Sequence, residues 1–185
     1  MFLKKIEKST GFTLIELLVV ISIIGFLASM AVFSLNNARM KARDAKRVVD
    51  IKQVQKALEL YYDNHGAYPV LGTSWQCSCP TGGSCGSGAG GYSWYTALQL
   101  LVDEGLLLDL PTDPINEIKG SEYLCYEYTP PTFTSAWYCN GKRRTDYEYV
   151  LLFSVEGSIL DFPRVTNSGG VPLVNYDYCI TGEIK

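Results

Sequence analysis

From Phe12 to Leu35 the chain runs for 24 residues with a single charged side chain, Glu16. That run constrains the fold more than any other segment, because its length and apolarity suit a membrane-spanning helix. A carboxylate inside such a helix costs about 2.5 to 3.5 kcal/mol on insertion scales, so the sequence predicts a partner for Glu16. A cut after Gly11 would create one, leaving Phe12 as an amino terminus with an ammonium four positions before Glu16. When identical helices stack with an axial offset, the amine of one subunit reaches the carboxylate of the next. Buried polar pairs of this kind serve best as register devices.

An ordinary secretory signal also has a basic start, an apolar stretch and small residues before its cut, and Ser29-Met30-Ala31 forms a weak site of that type. The early acid and the spanning length argue against it. A plain single-pass anchor carrying a binding module would leave Glu16 unexplained.

At Gly11-Phe12-Thr13-Leu14-Ile15-Glu16 and the apolar run behind it, the chain resembles the type IV pilin and type II secretion pseudopilin superfamily. The resemblance is close from Lys4 to about Leu35. It implies that Lys4, Lys5 and Lys8 form a basic leader, that Gly11 is the cleavage position, that Phe12 is the N-methylated first mature residue, and that Glu16 is the assembly carboxylate. It also implies a prepilin peptidase, an inner-membrane assembly platform, and a filament built from copies of the chain and other pilins or pseudopilins. The subunit would start as a single-pass protein of the inner membrane with its head outside the cytoplasm, and end in a periplasmic or cell-surface filament. Many members carry a proline where this chain has Phe33.

The remainder is similar, more loosely, to the major pseudopilin of type II secretion. The helix end Tyr61-Tyr62-Asp63-Asn64-His65-Gly66-Ala67-Tyr68-Pro69, the turn Leu110-Pro111-Thr112-Asp113-Pro114 and the segment Tyr126-Glu127-Tyr128 carry that likeness. Ile115-Asn116 replaces the usual Trp-Gly, and Glu156, Asp161, Asp177 and Glu183 are too scattered for a calcium loop, so no metal site is carried over.

The expected organisation is a leader at 1–11, a membrane and assembly helix at 12–35, its amphipathic continuation at 36–65, and a head at 66–185. From Asn36 to Asp63 no Gly or Pro interrupts the chain, and Ala38, Ala42, Ala45, Val49, Ile51, Val54, Leu58 and Tyr61 supply an apolar row. This row is expected to pack on the head, with Arg and Lys on the open face. A continuous helix from Phe12 to Asn64 would measure about 80 Å. Gly66 and Pro69 end it. Inside the membrane run, Gly25 and Ser29 form a small-residue pair that permits close helix approach.

In the head, Ala67 to Tyr92 reads as a loop and Ser93 to Leu107 as a helix ended by Gly105. Strands are expected at Tyr123–Thr129, Ala136–Cys139, Tyr147–Val155 and Tyr176–Thr181. With 13 tyrosines and 3 tryptophans available for cross-strand pairs, the fold class is α+β: a long pilin-like N-terminal helix on a small antiparallel sheet.

Charge divides the chain. Arg39, Lys41, Arg43, Lys46, Arg47, Lys52 and Lys56 against Asp44 and Asp50 give a net of +5, whereas the residues from Ala57 onward carry a net of −9. A basic stalk and an acidic head attract one another between neighbouring subunits, and a solvated helix face beside anionic lipid explains the same pattern. Nucleic-acid binding is not expected, since the cluster lacks interleaved aromatics.

Six cysteines, Cys77, Cys79, Cys85, Cys125, Cys139 and Cys179, are expected to form disulfides in an exported head, with 15 pairings open. One arrangement joins Cys125 to Cys139 and Cys85 to Cys77 or Cys79, leaving the last of these for Cys179. Zinc ranks low because the two-residue spacing is missing and His65 is the only histidine. No cofactor or catalytic constellation is expected. His65 lies at a helix end, the glycines from Gly82 to Gly91 lack the Gly-Lys-Ser/Thr of a phosphate loop, and Asp103-Glu104 and Asp109 read as a solvated face.

Overall fold

The computed structural model describes residues 11–70, 76–78, 94–119, 122–130, 137–157, 160–173 and 176–183. Two compact units divide the chain, Met1–Met40 and Lys41–Lys185. Helix α1, Leu14–His65, begins in the first and ends in the second. Through the first unit every side chain from Phe12 to Asn36 is exposed. Among the described residues α1 is the one helix long and apolar enough to cross a membrane, by length and composition. Gly66 stops it: the residue takes φ +70°, which a side chain disfavours, and its N–H closes onto the Tyr62 carbonyl at 2.7 Å.

Among its described residues the second unit adds helix α2, Trp94–Asp103, and nine short strands. Strands β1 (Gln76–Cys77), β4 (Glu127–Thr129), β7 (Tyr147–Phe153) and β9 (Tyr178–Glu183) form an antiparallel sheet in the order β1-β4-β7-β9. A hairpin of β2 (Glu117–Lys119) and β3 (Glu122–Leu124) stands apart, and β5 (Tyr138–Cys139), β6 (Lys142–Arg143) and β8 (Val165–Thr166) form a second small sheet in the order β6-β5-β8.

Alternation along the strands gives the main sheet two buried faces. Tyr126, Tyr128, Leu151, Phe153, Tyr178 and Ile180 turn toward a core shared with Ile51, Val54 and Leu58 of α1 and Trp94, Leu98 and Leu101 of α2. Val150, Leu152 and Cys179 face a second core with Trp137, Cys139, Val165 and Tyr176. A bulge in β7 between Tyr147 and Tyr149 sends these two residues to opposite cores, although they stand two apart. Gly182 pairs with Tyr149 across β7 and β9, and a Cβ there would fall 2.2 Å from the tyrosine ring.

Several expectations change. The strand expected over Tyr123–Thr129 breaks at Cys125 into β3 and β4, which join different sheets. Helix α2 stops at Asp103, before Leu107, because Gly105 takes φ +72° and its N–H bonds the Val102 carbonyl. On α1, Ala42, Ala45 and Val49 are exposed, and the buried row runs through Asp44, Arg47, Ile51, Val54 and Leu58. Apolarity mispredicts this face because ion pairing outweighs it at Asp44 and Arg47.

The disulfide pairing differs too. Cys139 bonds Cys179, 40 residues away, joining β5 to the main sheet through the second core. The expected Cys125–Cys139 pair is therefore excluded, as is Cys179 with a loop cysteine. Two neighbours in sequence order looked like neighbours in space, but β5 pairs with β6 and β8 and not with β3 or β4. Cys77 and Cys125 are also disulfide-bonded, and among the described residues no cysteine is free. Cys79 and Cys85 lie outside the described residues.

Candidate assembly site and the charge network of the head

Helix α1 opens on a reciprocal cap. Thr13, immediately before the first helical residue, donates from its N–H to Glu16 Oε2 at 2.8 Å and from its Oγ1 at 2.6 Å, while Glu16 N–H reaches back to Thr13 Oγ1 at 3.3 Å. This is the arrangement that a Thr-x-x-Glu sequence makes at a helix start, satisfying donors that have no intrahelical partner. Only Oε2 is engaged, and among the described residues Oε1 accepts nothing. Ser22 and Ser29 bond back to the Leu18 and Phe26 carbonyls at 2.8 and 2.7 Å, so these two hydroxyls are satisfied within the helix. Glu16 is the one charged side chain of the run, and its second carboxylate oxygen is open.

Gly11 and Phe12 lie just before this cap, both exposed, with Phe12 at 85%. Gly25 has no atom near the place a Cβ would occupy, which leaves the Gly25–Ser29 strip open. Lys4, Lys5 and Lys8 lie outside the described residues.

In the second unit, the residues that composition assigns to an open basic face behave differently. Arg47 is fully buried. Its Nε and Nη2 donate to Asp113 Oδ2 and Oδ1 at 2.6 and 3.0 Å, and its Nη1 donates to Asp44 Oδ1 at 2.7 Å and Glu156 Oε1 at 2.9 Å. Arg43 adds a two-pronged bond to Glu156 at 2.6 and 2.5 Å. Lys46 pairs with Asp50, which also accepts from Tyr126 Oη at 2.8 Å. Asp113 does further work in its own turn, accepting the N–H groups of Ile115 and Asn116 at 2.8 and 3.1 Å.

The electrostatics follow from these bonds. Burial penalises the Arg47 charge, but the bonds to Asp113, Glu156 and Asp44 overcome it and hold the guanidinium more firmly protonated than usual. Glu156 is held below the ordinary carboxylate range, chiefly by its bonds to Arg43 and then Arg47. The general attraction between a basic stalk and an acidic head is thus partly spent inside one chain. The sequence signal for Asp113 was present in its turn motif; nothing in the sequence marked Arg47 as the residue that would meet it.

Two further ionisable side chains, Arg144 and Glu127, are buried in this unit. Arg144 donates to Thr129 Oγ1, Thr129 O, Tyr147 O and Pro130 O, with burial lowering its pKa to about 10. Burial pushes the Glu127 carboxyl up to about 8 against the opposing influence of a Tyr176 hydrogen bond and the Arg144 charge. Among the described residues no group of His, Cys, Asp and Glu is arranged to hold a metal.

A family model described as "Prokaryotic N-terminal methylation motif" matches residues 8–32. The chain carries that motif. It spans Gly11, Phe12 and the Thr13–Glu16 cap. Beyond the motif, the chain is 43% identical over 68 residues to the type II secretion system core protein G of Vibrio cholerae, covering 37% of this chain and 47% of that protein. It is 48% identical over 65 residues to the protein of the same name from Escherichia coli, covering 35% and 44%. It is 38% identical over 64 residues to the type IV major pilin protein PilE1 of Neisseria gonorrhoeae, covering 35% and 39%. The chain thus spans less than half the length of these curated relatives. No solved structure matches. The resemblance to pilins and pseudopilins holds at the motif and over 64 to 68 residues of the chain, and the α+β architecture agrees with it.

Proposed function

We propose that this chain is a structural subunit of a type IV pilus-like or type II secretion pseudopilus filament. In this reading a prepilin peptidase cuts after Gly11 and methylates Phe12, and an inner-membrane platform lifts the subunit from the bilayer. Residues 12–35 then pack against those of neighbouring copies and of other pilins or pseudopilins, 36–65 carry the helix onward, and 66–185 form the head outside the cytoplasm. The names of the relatives and the methylation motif favour it.

One observation carries the assembly step: Glu16 caps its own helix through Oε2 and leaves Oε1 open, at the start of the exposed apolar stretch of α1. An incoming ammonium can bind Oε1 without first displacing the cap. Bringing the two charges together in a low-dielectric filament core removes an unpaired carboxylate, a larger gain than the same pair gives in water.

The test is the intact mass and amino terminus of the membrane-associated protein from its native host, together with the filament yield of Glu16→Ala. A chain beginning at methylated Phe12 whose Glu16→Ala variant stays in the membrane is expected. Retained Met1 with normal behaviour of Glu16→Ala would overturn the proposal in favour of an anchored binding module.

A further inference from the structure

On the face of α1 turned from the core, Lys41, Ala45, Val49, Lys52 and Lys56 follow at spacings of four, four, three and four, so they form one row along the helix. All five are exposed, Val49 at 53%. Lys46 pairs with Asp50 and Arg43 with Glu156, but no lysine of this row has an ion pair among the described residues; Lys52 only lies over the Phe162 ring at 5.3 Å.

A surface of the opposite kind lies after α2. Leu108 is 99% exposed, with Asp103 and Glu104 before it and Asp109 after it. The turn that carries it is fixed on both sides: the N–H groups of Leu106 and Leu107 bond the Leu101 carbonyl at 2.9 and 3.0 Å, and Leu110 is buried. An apolar side chain is thus held in water, with three exposed carboxylates within five residues of it in sequence. Single exposed leucines are ordinary; the match of this one to an apolar centre between lysines is the informative feature.

Within one chain the two surfaces do not pair: among the described residues no lysine of the row meets Asp103, Glu104 or Asp109, and Glu104 instead lies 3.3 Å from His65 Nε2 at the far end of α1. Lys52 lies over Phe162.

We propose that the Leu108 turn of one copy docks on the lysine row of a second copy, with Leu108 against Ala45 and Val49 and with Asp103, Glu104 and Asp109 facing Lys41, Lys52 and Lys56. The inference rests on the filament reading and names a contact between heads within it. Because the two surfaces differ, the contact is heterologous, and repetition of such a contact produces an open helical array when the rotation does not close. Charge complementarity sets its register and makes it salt-sensitive.

The test uses full-length chain assembled in its native host, with one population isotopically labelled. A zero-length carbodiimide cross-linker joins lysines to carboxylates in contact, and mass spectrometry is expected to find labelled-to-unlabelled links from Lys52 or Lys56 to Asp103, Glu104 or Asp109. The Lys52→Glu/Lys56→Glu variant is expected to lose sheared filaments, and adding Asp103→Lys/Asp109→Lys to the same chain to restore them. Filaments without such links, together with normal assembly of the lysine variant, would overturn this contact and leave the filament reading standing. No filaments from the wild-type chain, with Glu16→Ala indistinguishable from it, would overturn both.

Discussion

Arg47 holds Asp113 with two parallel hydrogen bonds, Nε to Oδ2 at 2.6 Å and Nη2 to Oδ1 at 3.0 Å, and both side chains are buried. Sixty-six residues separate them, so this fork ties the long helix to the turn that follows α2. Planar guanidinium geometry suits such a fork, and lysine cannot reproduce it.

Removal of one partner leaves the others charged and buried. Arg47→Ala is expected to cost about 3 to 5 kcal/mol, read as a lower urea midpoint for the detergent-solubilised chain followed by tryptophan fluorescence. Arg47→Lys should recover only part of that loss. An Arg47→Ala chain as stable as wild type would show that the network contributes nothing net.

Glu127 gives the head an alkaline weakness. Its folded pKa of about 8 lies above the ordinary glutamate value of 4.5, so between these values the folded state holds a proton that the unfolded state has lost. Stability therefore falls as pH rises through that window, by about 1.4 kcal/mol for each unit, and levels off above it. Urea midpoints measured from pH 5 to pH 9 should show this decline, and Glu127→Gln should flatten it. Glu156 acts at the other end: its lowered pKa means that its contribution is lost as pH falls below the ordinary carboxylate range.

The Cys139–Cys179 bond closes a loop of 40 residues. Chain-entropy reasoning assigns such a loop about 4 kcal/mol of stabilisation. The Cys139→Ala/Cys179→Ala chain is expected to melt at a clearly lower temperature, and a non-reducing peptide map of wild type should join the peptides carrying these two residues.

Thr13→Ala removes the hydroxyl that bonds Glu16 Oε2 and receives the Glu16 N–H. A lost cap costs about 1 kcal/mol, or roughly five-fold in the opening equilibrium. Amide exchange at Leu14 to Glu16 in detergent should quicken by that factor, while exchange near Leu27 stays unchanged.

Much of the molecule is legible from local chemistry. The apolar run, the helix stops at Gly66 and Gly105, and the strand near Tyr147–Phe153 each depend on residues within a few positions of one another. Periodicity and propensity report such short-range preferences directly. That is why the α+β class is readable from the sequence, whereas the sequence reading sought a partner for Glu16 on a neighbouring subunit and the structure supplies Thr13 of the same helix.

Which face of α1 is buried was decided elsewhere. Ala45 and Val49 looked like core and are exposed, because Arg47 meets Asp113 and Glu156, partners 66 and 109 residues along the chain. The split at Cys125 and the Cys139–Cys179 bond likewise depend on which strands pair across the sheets. Hydrophobic pattern fixes what a segment is locally. Only the assembled tertiary structure brings distant charges and thiols within bonding distance, and there the gain from pairing a buried charge outweighs the local preference for an apolar side chain.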